Sequence, residues 1–188
     1  MRLGLCARKP RQTIVWDGDS LTARPPAGGG TVSYPEFASE RIIGQPLIVN
    51  IAVSGADSAH AGYDLTPEAL AYVIMLGHNI LNAGGTGASV LSALSAQIAL
   101  VRSAGVQLVF VTKVFASALL VGTKETQRGI ANAGMADLDA DAVIDFEAAD
   151  ARFSNPNLFT DGTHDGEPLR RRRGEIAAAV INSVLTST

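Results

Sequence analysis

Cysteine is almost missing from this chain: Cys6 is the only one in 188 residues. A single thiol closes no internal disulfide and supplies no cysteine metal cluster. Histidine is scarce as well, with His60, His78 and His164 making up the full set of 3. Any imidazole chemistry must therefore run through one of these rings. No window reaches the ~18 uninterrupted apolar residues of a membrane span. The basic opening "MRLGLCARKP" lacks the apolar centre of about 7–15 residues that marks a secretory leader. Positive charge is not in excess either: 15 Lys and Arg against 18 Asp and Glu leave a net charge of −3, the wrong balance for a nucleic-acid surface. The chain reads as cytoplasmic as it stands, with no nucleic acid as partner and no membrane span. It reads equally as a domain of a longer secreted or viral protein, and its composition sets no oligomeric state.

What is present is a core. Apolar residues make up 47% and charged residues 18%, a globular composition for a single domain over residues 1–188. At this length folding buries roughly 70% of the unfolded chain's surface. Apolar runs rich in Val and Ile predict strands at Thr13–Trp16, Pro46–Val53, Ala71–Leu76, Val106–Thr112 and, more weakly, Ala142–Phe146. Their continuous hydrophobicity suits strands covered on both faces. Between them, helical patterns fall at Tyr34–Gly44, Ser89–Gly105, Thr123–Leu138 and Gly166–Leu185. Strands alternating with helices predict an α/β fold, a three-layer α/β/α sandwich around a five-stranded parallel sheet of flavodoxin-like type. The Gly-rich stretches Pro25–Gly30 and Asn82–Ser89 read as loops; "GGTG" at Gly84–Gly87 lacks the Gly-Lys-Ser/Thr ending of a phosphate loop.

Ligands of such sheets sit beyond the carboxyl ends of the strands. The polar residues gather there: Asp17–Ser20 after the first strand, Ser54–Ser58 after the second, Gly77–Asn79 after the third, and Asp161–Glu167 before the last helix. Asp17-Gly18-Asp19-Ser20 allows two chemistries. An apolar strand ending in Asp-x-Asp resembles the opening motif of haloacid-dehalogenase-type phosphatases, with Asp17 as nucleophile. Lys113 could then hold phosphate, and Asp137, Asp139 or Asp141 could hold Mg²⁺, but those carboxylates precede a strand instead of following one, and Leu21 stands where that family has threonine. The second chemistry uses the Ser20 hydroxyl, which needs a base within ~2.6–3.2 Å. His164 lies in a loop with Asp161 three residues before it, so the carboxylate can fold back onto the imidazole and fix its tautomer.

Four segments then carry a more specific resemblance. "GDSLT" (Gly18–Thr22) resembles the nucleophile block of the SGNH, or GDSL, hydrolase family. "NIAVSGADS" (Asn50–Ser58) resembles its second block, "LGHN" (Leu76–Asn79) its third, and "DGTH" (Asp161–His164) its last. All four occur in the family's order. The resemblance implies the SGNH hydrolase fold and a serine esterase without a cofactor or metal. It implies a catalytic set of Ser20, His164 and Asp161, and an oxyanion hole from the N–H groups of Ser20 and Gly55 and the side-chain amide of Asn79. The substrate it implies is a small-molecule or carbohydrate acyl ester. An acetyl-sized acyl group is the expectation, since few bulky apolar side chains flank the blocks. One position departs from the pattern: Ile80 stands where the family has Asp after the block-three asparagine, which removes a support of the turn holding Asn79. That departure leaves room for a non-catalytic, carbohydrate-binding domain of the same fold.

Each residue also has a plainer reading. Ser20 could cap a helix, Asp161 could close an Asx turn, and Gly55 and Asn79 could serve only as turn residues. Asp17 and Asp19 read as structural, His78 as a packed or pocket-lining ring, and His60 as a loop residue. The run Arg170–Arg173 places Arg172 and Arg173 on the core-facing side of the last helix. Four cations in a first turn oppose the helix dipole, so acidic partners are expected, with Asp165 and Glu167 at hand; alternatively one arginine steers an anionic substrate toward His164.

Overall fold

The computed structural model describes residues 12–23, 29–57 and 69–187; Cys6 and His60 lie outside them. Five strands form one sheet: β1 (Thr13–Gly18), β2 (Leu47–Asn50), β3 (Ala69–Met75), β4 (Leu108–Thr112) and β5 (Ala142–Ile144). The order is β2-β1-β3-β4-β5, and every neighbouring pair is parallel. The helices are α1 (Tyr34–Ser39), α2 (His78–Asn82), α3 (Gly87–Ser103), α4 (Thr123–Gly134), α5 (Phe146–Ala149) and α6 (Glu167–Leu185).

The period-2 alternation of a strand sorts the side chains into two cores. Ile14, Trp16, Ala71, Val73, Met75 and Phe110 pack on one face with Tyr34 and Ala38 of α1 and Ile176, Ala177 and Ile181 of α6. Val15, Tyr72, Ile74, Val109 and Val111 pack on the other with Val90, Leu94, Ile98 and Val101 of α3 and Ala131 of α4. The three layers expected from alternating strands and helices are therefore present. No helix among the described residues is long and apolar enough to cross a membrane.

Aromatic residues make up only 5% of the chain, yet most of them meet in the first core. Trp16 and Tyr34 pack edge to face at 5.3 Å, and Tyr34 meets Phe146 at 5.9 Å. Phe146 leads to Phe153 at 5.7 Å, and Phe115 packs on Phe159 at 5.4 Å. The three edge-to-face contacts, all but the tilted Phe146–Phe153 pair, add about 0.5–1.5 kcal/mol each beyond the area they bury. They extend from the sheet to the loop that precedes α6.

The departures from the sequence reading have local causes. β2 is an edge strand, so it is not covered on both faces: Leu47 and Val49 remain 48% and 37% exposed. β5 stops at Ile144 because the Asp145 carboxylate accepts from Ala148 N–H and caps α5. Part of the expected loop Asn82–Ser89 is helical, since Thr86 and Ser89 cap α3 reciprocally. α4 ends at Gly134, and a 3-10 turn carries the chain through Asp137. α2 has only 5 residues, too few to leave a periodic pattern.

Candidate active site

The first strand sets up the site by ending abruptly. Gly18 closes β1 at φ +154°, and a Cβ there would stand 2.5 Å from the carbonyl oxygen of Met75 on β3. No side chain fits so close an approach. The next turn is built by Asp19, not by Ser20. Its carbonyl accepts from Thr22 N–H at 3.0 Å and Ala23 N–H at 2.9 Å, and its carboxylate accepts from Leu21 N–H at 2.9 Å. Ser20 is thus spared any capping duty. Its hydroxyl instead lies 2.9 Å from Nε2 of His164, across most of the chain's length.

His164 sits in the loop before α6. Thr160 N–H donates to its carbonyl at 2.8 Å. Gly162, at φ +79°, makes the sharp bend, and Ala118 N–H donates to the Gly162 carbonyl at 2.7 Å. A buried contact of 2.8 Å between the Ser117 and Thr163 hydroxyls fastens the loop to the segment after β4. Asp161 makes both contacts weighed from the sequence. One carboxylate oxygen accepts from the N–H groups of Thr163 at 3.0 Å and His164 at 2.7 Å, an Asx turn. The other stands 2.7 Å from Nδ1 of His164.

Partial burial pulls the Asp161 pKa upward, but the bonds from the His164 and Thr163 N–H groups and the imidazole outweigh it and hold it at about 2. The carboxylate is ionised at neutral pH and can only accept. In the neutral imidazole this places the proton on Nδ1, with the lone pair of Nε2 facing the Ser20 hydroxyl.

The second and third blocks adjoin this turn. Val53 N–H donates to the Gly18 carbonyl at 3.0 Å, which anchors the loop after β2 beside β1. Gly55 lies in that loop at φ +85°, and a Cβ there would meet nothing within 4 Å. Its glycine therefore answers to the backbone conformation and not to crowding. The Asn79 amide donates to the Ala56 carbonyl at 2.8 Å, joining the two loops and leaving its second N–H. Among the described residues, no carbonyl accepts from the N–H of Ser20 or of Gly55. Ile80 packs against the second core, and the Ala56 carbonyl is the acceptor that holds the Asn79 amide.

The remaining acidic groups are committed elsewhere. Asp17 is 1% exposed and accepts from Gly18 N–H at 2.8 Å and from Gln97 at 2.9 Å. Lys113 pairs with Asp145 at 2.8 Å; Asp139 and Asp141 pair with Arg102 at 3.8 and 2.8 Å. Asp139 and Asp141, named for a phosphatase site, are thus held by Arg102 and not by a site at Asp17. Among the described residues, no group of three or more His, Cys, Asp and Glu side chains is placed to hold a metal ion.

Two buried polar groups lie beneath the site. Asp19 and His78 both line a narrow gap with Leu21, Met75, Leu76 and Val114, and Oδ2 of Asp19 and Nε2 of His78 make no hydrogen bond. Burial raises the Asp19 pKa from 3.8 to about 6, against the Leu21 N–H bond and the charges of Arg173 and His164. Burial lowers the His78 pKa from 6.5 to about 4, with the charge of His164 adding to it. Asp19 thus contributes stability that is full below pH 3.8 and is lost as pH rises through about 6. His78 contributes stability that is present above pH 6.5 and is lost as pH falls through about 4.

Between those folded-state values the two slopes oppose, each at most about 1.4 kcal/mol per pH unit. Relative to the wild type, His78→Gln is therefore expected to lose thermal stability as pH rises from about 4 to about 6, and Asp19→Asn as pH falls over the same window. Melting curves at three pH values check this; parallel shifts of both variants across the window would refute it.

The arginines divide differently from the sequence reading. Arg170 and Arg173 are the buried pair, at 3% and 0% exposed. Arg172 points outward to Asp150 and Glu175, both at 3.1 Å. Arg171 pairs with Glu167 at 3.5 Å. Arg173, fully enclosed, cannot meet an anionic substrate; its carboxylate partner is Asp165. Asp165 and Glu167, the acids expected to meet this run, are thus the partners of Arg173 and Arg171.

No protein-family model matches the chain, and no curated protein matches it in sequence. Solved structures do match. A carbohydrate esterase of family 3 from Talaromyces cellulolyticus aligns over 94% of this chain and 99% of its own, with a TM-score of 0.74 and 17% identity. Est24, a carbohydrate acetylesterase from Sinorhizobium meliloti, covers 95% and 100%, with a TM-score of 0.67 and 15% identity. A lipolytic protein of the G-D-S-L family from Veillonella parvula covers 90% and 97%, with a TM-score of 0.69 and 19% identity. At such identities the likeness is one of fold: this chain has the α/β fold of GDSL/SGNH-type lipases and carbohydrate esterases.

Proposed function

We propose that the protein is a serine-dependent hydrolase of carboxylic esters with short acyl groups, acting on a small-molecule or carbohydrate acyl ester. The observation that carries this reading is the unbroken line from the Ser20 hydroxyl through His164 to Asp161, with contacts of 2.9 and 2.7 Å. Both distances lie within the reach that proton transfer requires. As Oγ of Ser20 attacks the ester carbonyl carbon, its proton passes to Nε2 of His164. Asp161 holds Nδ1–H and stabilises the imidazolium that forms.

The tetrahedral oxyanion is received by the N–H groups of Ser20 and Gly55 and by the free N–H of the Asn79 amide. Removing one such donor typically costs on the order of 10²–10³ in rate. Collapse expels the alcohol, which takes the proton from His164 and leaves an acyl group on Ser20. Water, deprotonated by the same imidazole, then releases the carboxylate and restores the hydroxyl. Every step draws on groups in the chain and water. The carbohydrate esterases of the same fold favour an acetylated sugar among the possible substrates.

A fluorophosphonate probe followed by peptide mapping tests the reading directly. The expected result is one adduct, on the peptide carrying Ser20, with fluoride as the leaving group and with labelling insensitive to EDTA. An unlabelled chain, or an adduct confined to another serine, would end it.

A further inference from the structure

We infer that Arg173 is a positioning residue that locks the nucleophile turn and the base loop into one unit. This rests on the reading of Ser20 and His164 given above. The guanidinium donates to the carbonyl of Leu21, the residue after Ser20, at 2.8 Å, and to the carboxylate of Asp165, the residue after His164, at 2.8 Å. Its Nε lies 2.6 Å from the second Asp165 oxygen. A third contact, 3.6 Å to Sδ of Met75, reaches the end of β3. One planar group thus ties together the two residues that directly follow the proposed nucleophile and base, which are otherwise far apart in the chain.

The surroundings make this clamp stiff. Arg173 is 0% exposed and lies over the ring of Tyr34 at 4.4 Å, with Phe115 at 5.3 Å and Phe146 at 5.8 Å. Both ends of the Leu21 peptide unit are held, its N–H by Asp19 and its carbonyl by Arg173. Both ends of Asp165 are held as well. Arg170, one helical turn before Arg173, donates to the Asp165 carbonyl at 2.5 Å and to the Val32 carbonyl at 3.1 Å. A buried cation meant only to fill the core would be replaceable by a hydrophobic side chain. Here one guanidinium nitrogen, Nη2, serves the Leu21 carbonyl and the Asp165 carboxylate at once, while Nε lies against the other carboxylate oxygen. A misplacement of about 1 Å at a reacting group costs on the order of 10² in rate, which is the displacement this clamp prevents.

Arg173→Lys keeps the charge but gives up the Nε contact to Asp165 and the Nη1 contact to Met75; Asp165→Asn keeps the shape but loses the ionic hold. For each, kcat and KM on p-nitrophenyl acetate are measured on protein shown to be folded by circular dichroism. ¹⁵N-histidine NMR spectra of the resting protein report the His164 ring without any turnover. The expected result is a fall in kcat of roughly 10²-fold with KM changed less than about threefold, and altered His164 ring signals. Wild-type kcat in either folded variant, or unmoved His164 signals in both, overturns the clamp. If the wild type itself turns over no ester, the hydrolase reading fails and the NMR measurement alone decides the positioning claim.

Discussion

Ser20→Ala is expected to remove ester hydrolysis, lowering kcat by on the order of 10⁴–10⁶-fold while leaving the melting temperature almost unchanged. The size follows from the way a nucleophile and its base act as one unit: losing either member costs about as much as losing both. His164→Ala should match it, and the double variant should be no slower than either single one. Stability is spared because, among the described residues, the Ser20 hydroxyl hydrogen-bonds only to the His164 ring, and the turn is held by Asp19. Steady-state rates on p-nitrophenyl acetate, with melting curves of the same samples, check both halves. Ser20→Ala retaining more than a hundredth of wild-type kcat would remove the hydroxyl from the chemistry.

Asp161→Asn is a gentler probe of the same line. The amide offers an N–H where the carboxylate offered a lone pair, which favours the wrong imidazole tautomer. Its effect is expected to be smaller than the ~10⁴ seen for an enclosed carboxylate, because the Asp161 side chain is 54% exposed and water can replace part of its contact.

The second large effect is on folding. Arg173→Met and Asp165→Leu are each expected to cost about 3–5 kcal/mol, since each strands the partner's charge in the core. For a chain of this size that is a drop of about 6–20 °C in Tm. The double variant should recover most of the loss, because the buried pair is removed whole. Both side chains are enclosed, at 0% and 3% side-chain exposure, so solvent cannot rescue the orphaned group. Urea unfolding of the four proteins closes the cycle. Strictly additive losses would mean that the two residues do not depend on one another.

Much of the architecture could be read from residue order alone, because parallel strands buried on both faces leave unbroken apolar runs. β1, β3 and β4 were legible for this reason. β2 was misjudged as doubly covered: its sequence, "LIVN", is as apolar as a central strand, and only the strand order makes it an edge. The contact between Asp161 and His164 was also legible, since three residues of spacing on a loop bring the carboxylate back to the ring. The Arg173 contacts were not. Helical periodicity suggested that Arg173 faces the core, but it equally suggested Arg172, and the selection of Arg170 with Arg173 depends on how α6 rolls against α1. Gly174 fixes that roll by admitting α1 closely; a Cβ there would stand 2.6 Å from Cβ of Phe37 and 2.8 Å from the Tyr34 carbonyl oxygen. No reading of one helix at a time contains that information.

The single tryptophan gives the molecule an optical readout of its own. Trp16 is fully enclosed on the strand that leads into the Ser20 turn, packed against Tyr34. An indole in so dry a place emits at short wavelength, and its emission shifts to the red when water arrives. With no second indole to mask the signal, intrinsic fluorescence follows the integrity of the strand that carries the Ser20 turn without any label.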